Sequence, residues 1–237
     1  MTIETILYAF LGGLLPALIW LYVWLREDSR CPEPRGLLMI AFVAGMVAVP
    51  LVLPLQKIAL LYLAPGLPLI VAWATAEEVL KYVVAAVAVL WRRAVNEPID
   101  LVIYMLTVAL GFAAAENMLF LINPLAGGNL IDSFITGNLR FIGSTLLHVL
   151  ASGTIGFALA FSYTRKRAAR TGFAALGLIL AIALHAGFNF LILGAHGEYT
   201  LTAFLAVWSG AVVLFALFEI LKYARYRRLP KNAKNVC

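Results

Sequence analysis

Seven stretches of mostly apolar residues, each near the roughly 20 residues a helix needs to cross a bilayer, dominate this chain. They run Ile3–Leu25, Gly36–Leu55, Pro68–Trp91, Ile99–Ile122, Arg140–Thr164, Gly172–Gly194 and Thr200–Tyr223. None shows the period-two alternation of a barrel strand, so the expected spans are helices. Composition agrees: 63% of residues are apolar and 13% charged, against about 25% charged in soluble domains. That excludes an ordinary soluble globule and a disordered chain, and two cysteines are too few for a disulfide scaffold. The expected fold is an all-α polytopic bundle of about seven transmembrane helices. It forms a single transmembrane domain over 1–237, with catalytic helices within 68–194 and a basic tail at 224–237.

Charge placement sets an expected orientation. Fifteen of the 18 basic residues fall after the first, third and fifth spans or in the tail. Positive-inside then puts the N-terminus outside a cell membrane and the C-terminus in the cytoplasm. The net charge of +6 is thereby an orientation signal and a contact for anionic lipid, with no call for nucleic acid. Cys31 and Cys237 fall on the reducing side as free thiols. The first span has no basic n-region and reads as retained rather than as a signal peptide. The stretch Ile58–Pro65 is too short to cross. It reads as a kinked continuation of the second span past Pro50 and Pro54, or as a separate half-helix. Asn123–Leu139 reads as a long external connector.

Within the spans stand residues that lipid penalises: Glu77, Glu78, Lys81, Glu116, His148 and His185, accompanied by Asn117 and Asn189. Each charged side chain near the bilayer centre costs about 2.5–3.5 kcal/mol. A salt bridge from Lys81 to Glu77 or Glu78 neutralises one carboxylate and leaves two. Depth groups them further. Glu77, Glu116, His148 and His185 lie nine, six, eight and nine residues from the outer ends of their spans, and Asn189 lies five from its own. His148 shares a ridge with Ser144, Ser152, Gly156 and Ala160, and His185 with Gly177, Ala181 and Asn189. Small residues at that spacing turn both imidazoles toward the bundle interior. His196 falls in an outer loop and carries no expected role.

Carboxylate and imidazole around confined water suit hydrolysis. A glutamate acts as general base on water, an imidazole and Asn189 stabilise the oxyanion, and the other imidazole orients water or protonates the leaving amine. No Gly-x-Ser-x-Gly elbow and no His-Glu-x-x-His motif occurs. No cofactor is required in this reading. A metal version stays open, with a divalent ion such as zinc on His148, His185 and Glu116 and a second glutamate as base. A rival from another class is a proton-coupled transporter, which needs access from both faces.

The run Glu77-Glu78-Val79-Leu80-Lys81, then Gly111 to Asn117 ending in Glu-Asn, then His148, then His185-Ala186-Gly187-Phe188-Asn189, resembles the PrsW family of intramembrane proteases. These group with the CAAX prenyl endopeptidases and bacteriocin-processing enzymes. The resemblance covers roughly Pro68 to Gly194. It implies a glutamate-dependent protease with Glu77 as base, Glu78 its essential neighbour, and His148, His185, Asn189 and Glu116 completing the site. Lys81 departs from the prenyl-endopeptidase branch, where an arginine stands one position later. The substrate implied is a membrane-anchored protein of the anti-sigma-factor kind, cut on the external side.

Overall fold

Helices this apolar all round give no single greasy stripe to bury, so side-chain size decides which faces meet. A computed structural model describes residues 2–27, 32–194 and 198–228, without the side chains of 194 and 224–228. Among them stand seven continuous helices and no strand. They are α1 (Ile3–Glu27), α2 (Arg35–Tyr62), α3 (Leu67–Ala85, closing in a π turn Ala86–Leu90) and α4 (Pro98–Ala126), then α5 (Leu130–Phe161), α6 (Arg167–Asn189, closing in a π turn Phe190–Gly194) and α7 (Thr200–Arg228). Six are long and apolar enough to cross a membrane. The seventh, α3, has the length but carries Glu77, Glu78 and Lys81. The all-α polytopic bundle is therefore borne out, and this is a multi-pass membrane protein.

The core sits on α4, whose residues from Ile99 to Ala114 are all buried. Its first turn is fixed by a reciprocal cap between Glu97 and Asp100, the latter accepting the backbone N–H groups of Asn96 and Glu97 at 2.9 and 2.8 Å. α1, α2 and α5 pack around it. Two glycines let α2 and α4 touch backbone to backbone. A Cβ on Gly45 would lie 2.0 Å from the Val108 carbonyl oxygen, and one on Gly111 would lie 1.9 Å from that of Phe42. No side chain larger than hydrogen fits either place. α6 leans on α5, and α7 closes the bundle, with Trp24 of α1 stacked on Phe215 at 4.1 Å.

One open expectation is decided and another changes. α2 runs unbroken through Pro50 and Pro54 to Tyr62, so no separate half-helix forms from Ile58–Pro65. The Asn123–Leu139 connector is not long either. α4 continues to Ala126, and α5 starts at Leu130 once the Asn129 side chain accepts the Asp132 N–H at 3.1 Å. Gly128, at φ +70°, makes the turn between them. α5 then crosses Arg140–Ser144 as a π turn without a break. Cys31, Cys237, His196 and the tail from 229 lie outside the described residues.

Candidate active site

Residues 77 and 78 stand about 100° apart around α3, so the two carboxylates look into different neighbours. Both are buried, as are Lys81, His148 and His185. Glu78 is saturated. Its Oε1 accepts from Lys81 Nζ at 2.6 Å and lies 2.6 Å from His185 Nδ1, while Ser152 of α5 donates to Oε2 at 3.5 Å. The expected salt bridge thus exists and belongs to Glu78. Lys81 also reaches His148 Nδ1 at 3.0 Å and lies over the Phe112 ring at 4.9 Å.

Glu77 is held differently. Its Oε1 accepts from the side-chain amide of Gln56 on α2 at 2.8 Å, and Trp73 anchors that residue by donating to its carbonyl at 3.1 Å. Its Oε2 is buried with no hydrogen-bond partner, 3.6 Å from His185 Nε2.

Proton counting fixes the imidazoles. An ammonium has no lone pair, so His148 Nδ1 accepts from Lys81 and Nε2 carries the proton. That proton points to Glu116 Oε2, 3.0 Å away. His185 donates through Nδ1 to Glu78, which turns Nε2 toward Glu77. The two rings meet edge to face, centroids 5.2 Å apart. Three carboxylates face Lys81 and Arg140, so the cluster is one positive charge short while both imidazoles are neutral. A proton on Glu77 or His185, or a bound cation, closes that balance.

The structure brings together five of the six predicted site residues: Glu77, Glu78, Glu116, His148 and His185. Asn189 follows one turn after His185 on α6, half-buried. The expected metal set changes. Glu77, not Glu116, joins His148 and His185, with one ligand atom from each lying within 4.8 Å of the others. Glu116 lies beyond His148, paired with Arg140. Gln56 and Arg140 escaped the sequence reading, which had Ser152 only as part of the His148 ridge. The first is the single glutamine of the chain, and nothing in the sequence sets its register against the acidic pair.

The trio fits a metal in part. Glu77 Oε2 and His185 Nε2 are two adjacent donors without protein partners of their own, and Glu78 behind His185 Nδ1 is the carboxylate that commonly orients a ligating imidazole. His148 would have to release Lys81 or Glu116 to join them.

Residues 33–220 match the profile of the PrsW family intramembrane metalloproteases. The relatives include "Protease PrsW" of Geobacillus kaustophilus (strain HTA426), 28% identical over 92% of this chain and 95% of that protein. The proteins of the same name from Clostridioides difficile (strain 630) and Bacillus subtilis (strain 168) are 26% and 25% identical. They align with 78% and 76% of this chain and 79% and 81% of their own length. No solved structure matches the chain significantly. A match that begins just ahead of α2 and ends inside α7 takes in every helix that contributes to the cluster, and the chain belongs to the PrsW family of intramembrane proteases.

Proposed function

We propose that this protease cleaves a membrane-anchored protein near its extracytoplasmic side, with water activated by Glu77. One observation carries the reading: of the two adjacent carboxylates, Glu78 has every oxygen engaged, while Glu77 keeps one buried oxygen unpaired beside an imidazole. That oxygen takes a proton from water, and the hydroxide formed attacks the scissile carbonyl. His185, oriented through Nδ1 by Glu78, presents Nε2 to the same space and steadies the water. The Asn189 amide, one turn further out, supplies a donor for the oxyanion. Glu77 then returns its proton to the departing amine, which completes hydrolysis. Glu78, Lys81 and Glu116 hold the two imidazoles, His148 and His185, in register. Membership in a protease family speaks for hydrolysis over proton-coupled transport.

The external placement follows from the positive-inside orientation, with the N-terminus outside, and from the depth of the site residues in their spans. An anti-sigma-factor-like single-span protein is the substrate class that the family resemblance implies. The test uses a pool of single-span peptides with randomised juxtamembrane residues, reconstituted with the enzyme in vesicles and read by mass spectrometry. Cuts by the wild type on the outer side, absent with Glu77→Gln, support the reading. Equal cleavage by both removes Glu77 as base, and no cleavage of any member removes the outer juxtamembrane region as the target.

A second reading is favoured by the close approach of Glu77, His148 and His185. These residues would hold a divalent ion, which when bound polarises a carbonyl and acidifies water. Loss of cleavage on exhaustive chelation, restored by zinc, supports it. Full activity after chelation dismisses it.

A further inference from the structure

Arg140 takes no part in the chemistry proposed above, yet it is the most heavily engaged side chain at the outer edge of the cluster. It opens the π turn Arg140–Ser144, and such turns recur at functional positions within helices. Its guanidinium pairs with the Glu116 carboxylate, donates through Nε to Asn117 Oδ1 at 2.6 Å and reaches Ser144 Oγ at 3.0 Å. It lies over the Phe120 ring, 3.8 Å from the centroid. The grip therefore takes in one face of α4, at 116, 117 and 120, from a fixed point on α5. Asn117 is tied in turn to Thr145 at 2.9 Å.

The Glu116 oxygen that Arg140 holds is the one facing His148 Nε2. Arg140 and Glu116 are 16% and 17% exposed, while His148 is 1% exposed. Glu116 thus stands between a buried imidazole and a partly exposed cation. Its side chain has three free torsions, and without a clamp it swings outward to be hydrated. His148 Nε2–H, whose tautomer Lys81 sets at Nδ1, would then lose the acceptor that fixes the angle of the ring.

We infer that Arg140 is a positioning residue: it clamps Glu116 and Asn117 so that Glu116 accepts from His148 Nε2 and holds that ring edge to face with His185. The inference rests on the proposed reading of the cluster as the catalytic site. A planar fork suits the task, since it bonds two side chains along its edges while its face covers Phe120, which a lysine ammonium cannot do at once.

The test compares wild type, Arg140→Gln, Arg140→Lys and Glu77→Gln in vesicles. Imidazole nitrogens are labelled with ¹⁵N and the His148 signals assigned by their loss in His148→Gln. Cleavage is followed on the best-cut member of the single-span peptide pool. Arg140→Gln is expected to lower kcat roughly 10-fold to 100-fold with KM nearly unchanged, and to move the His148 Nε2–H signal as its hydrogen bond to Glu116 loosens. Arg140→Lys should fall between, keeping the charge and losing the fork. If Arg140→Gln does not fold, the lysine variant decides alone. Wild-type kcat with an unmoved His148 signal overturns the inference, and so does a rise in KM at constant kcat, which would place Arg140 on the substrate. A fall in kcat with His148 unmoved also overturns it. Wild-type cleavage by Glu77→Gln brings down the underlying site reading instead, and is told apart because it leaves the Arg140 effect on His148 intact.

Discussion

Glu77 and Glu78 are consecutive residues of one helix, and their surroundings could hardly differ more. The Glu78 side is sealed. Lys81, His185 and Ser152 surround a carboxylate with no exposed surface, and Lys81 passes the contact on to His148. The Glu77 side is open. One oxygen rests on Gln56, and the other faces His185 across 3.6 Å with nothing bonded to it. A fully satisfied buried ion pair specifies geometry, and an unsatisfied buried oxygen is chemistry in waiting. Neighbouring positions on a helix serve both ends because a step of one residue turns the side chain to a different wall.

The largest break in this contrast comes from Glu77→Gln. It is isosteric and leaves the sealed side untouched, so cleavage should fall about 10³-fold while thermal unfolding in detergent hardly moves. Lys81→Met attacks the sealed side instead. It strands Glu78 as an uncompensated buried charge and should cost about 3–5 kcal/mol of stability, read by denaturant titration in mixed micelles. Adding Glu78→Gln to that variant should return part of the loss, since the stranded charge is then gone. Gln56→Ala removes the one hydrogen bond that aims Glu77. The expected loss is about 1.5–3 kcal/mol in kcat/KM, with the fold retained by circular dichroism. Ser152→Ala should matter least. Its contact with Glu78 is 3.5 Å long, and kcat/KM should stay within about 2-fold of wild type.

Charge in an apolar run is conspicuous, which is why Glu77, Glu78, Lys81, Glu116 and both histidines were legible before any coordinates. Their meeting was legible too, through depth and through the small-residue ridges that turn His148 and His185 inward. Gln56 was not. It is uncharged, and it stands beyond two prolines, just past the expected end of the second span at Leu55. Arg140 reads as a cation snorkelling at a span boundary, which is common and dull. That boundary is not where the helix begins: Pro124, Gly127 and Gly128 carry the punctuation of a loop, but one capping asparagine restarts the helix at Leu130. The exchange of Glu116 for Glu77 in the close trio was equally hidden, because spacing along four helices says nothing of which side chains end up nearest.

The close approach of α2 and α4 at Gly45 and Gly111 works as a fulcrum. Gly111 lies five residues before Glu116 and Gly45 eleven before Gln56, about 7 and 16 Å along their axes. A single methyl group at either glycine has no rotamer to escape into and must tilt a whole rod. A tilt too small to notice at the pivot becomes a misplaced carboxylate at the far end. The aim of Glu77 and the seat of His148 are therefore set by two residues that have no side chains, well away from the atoms that react.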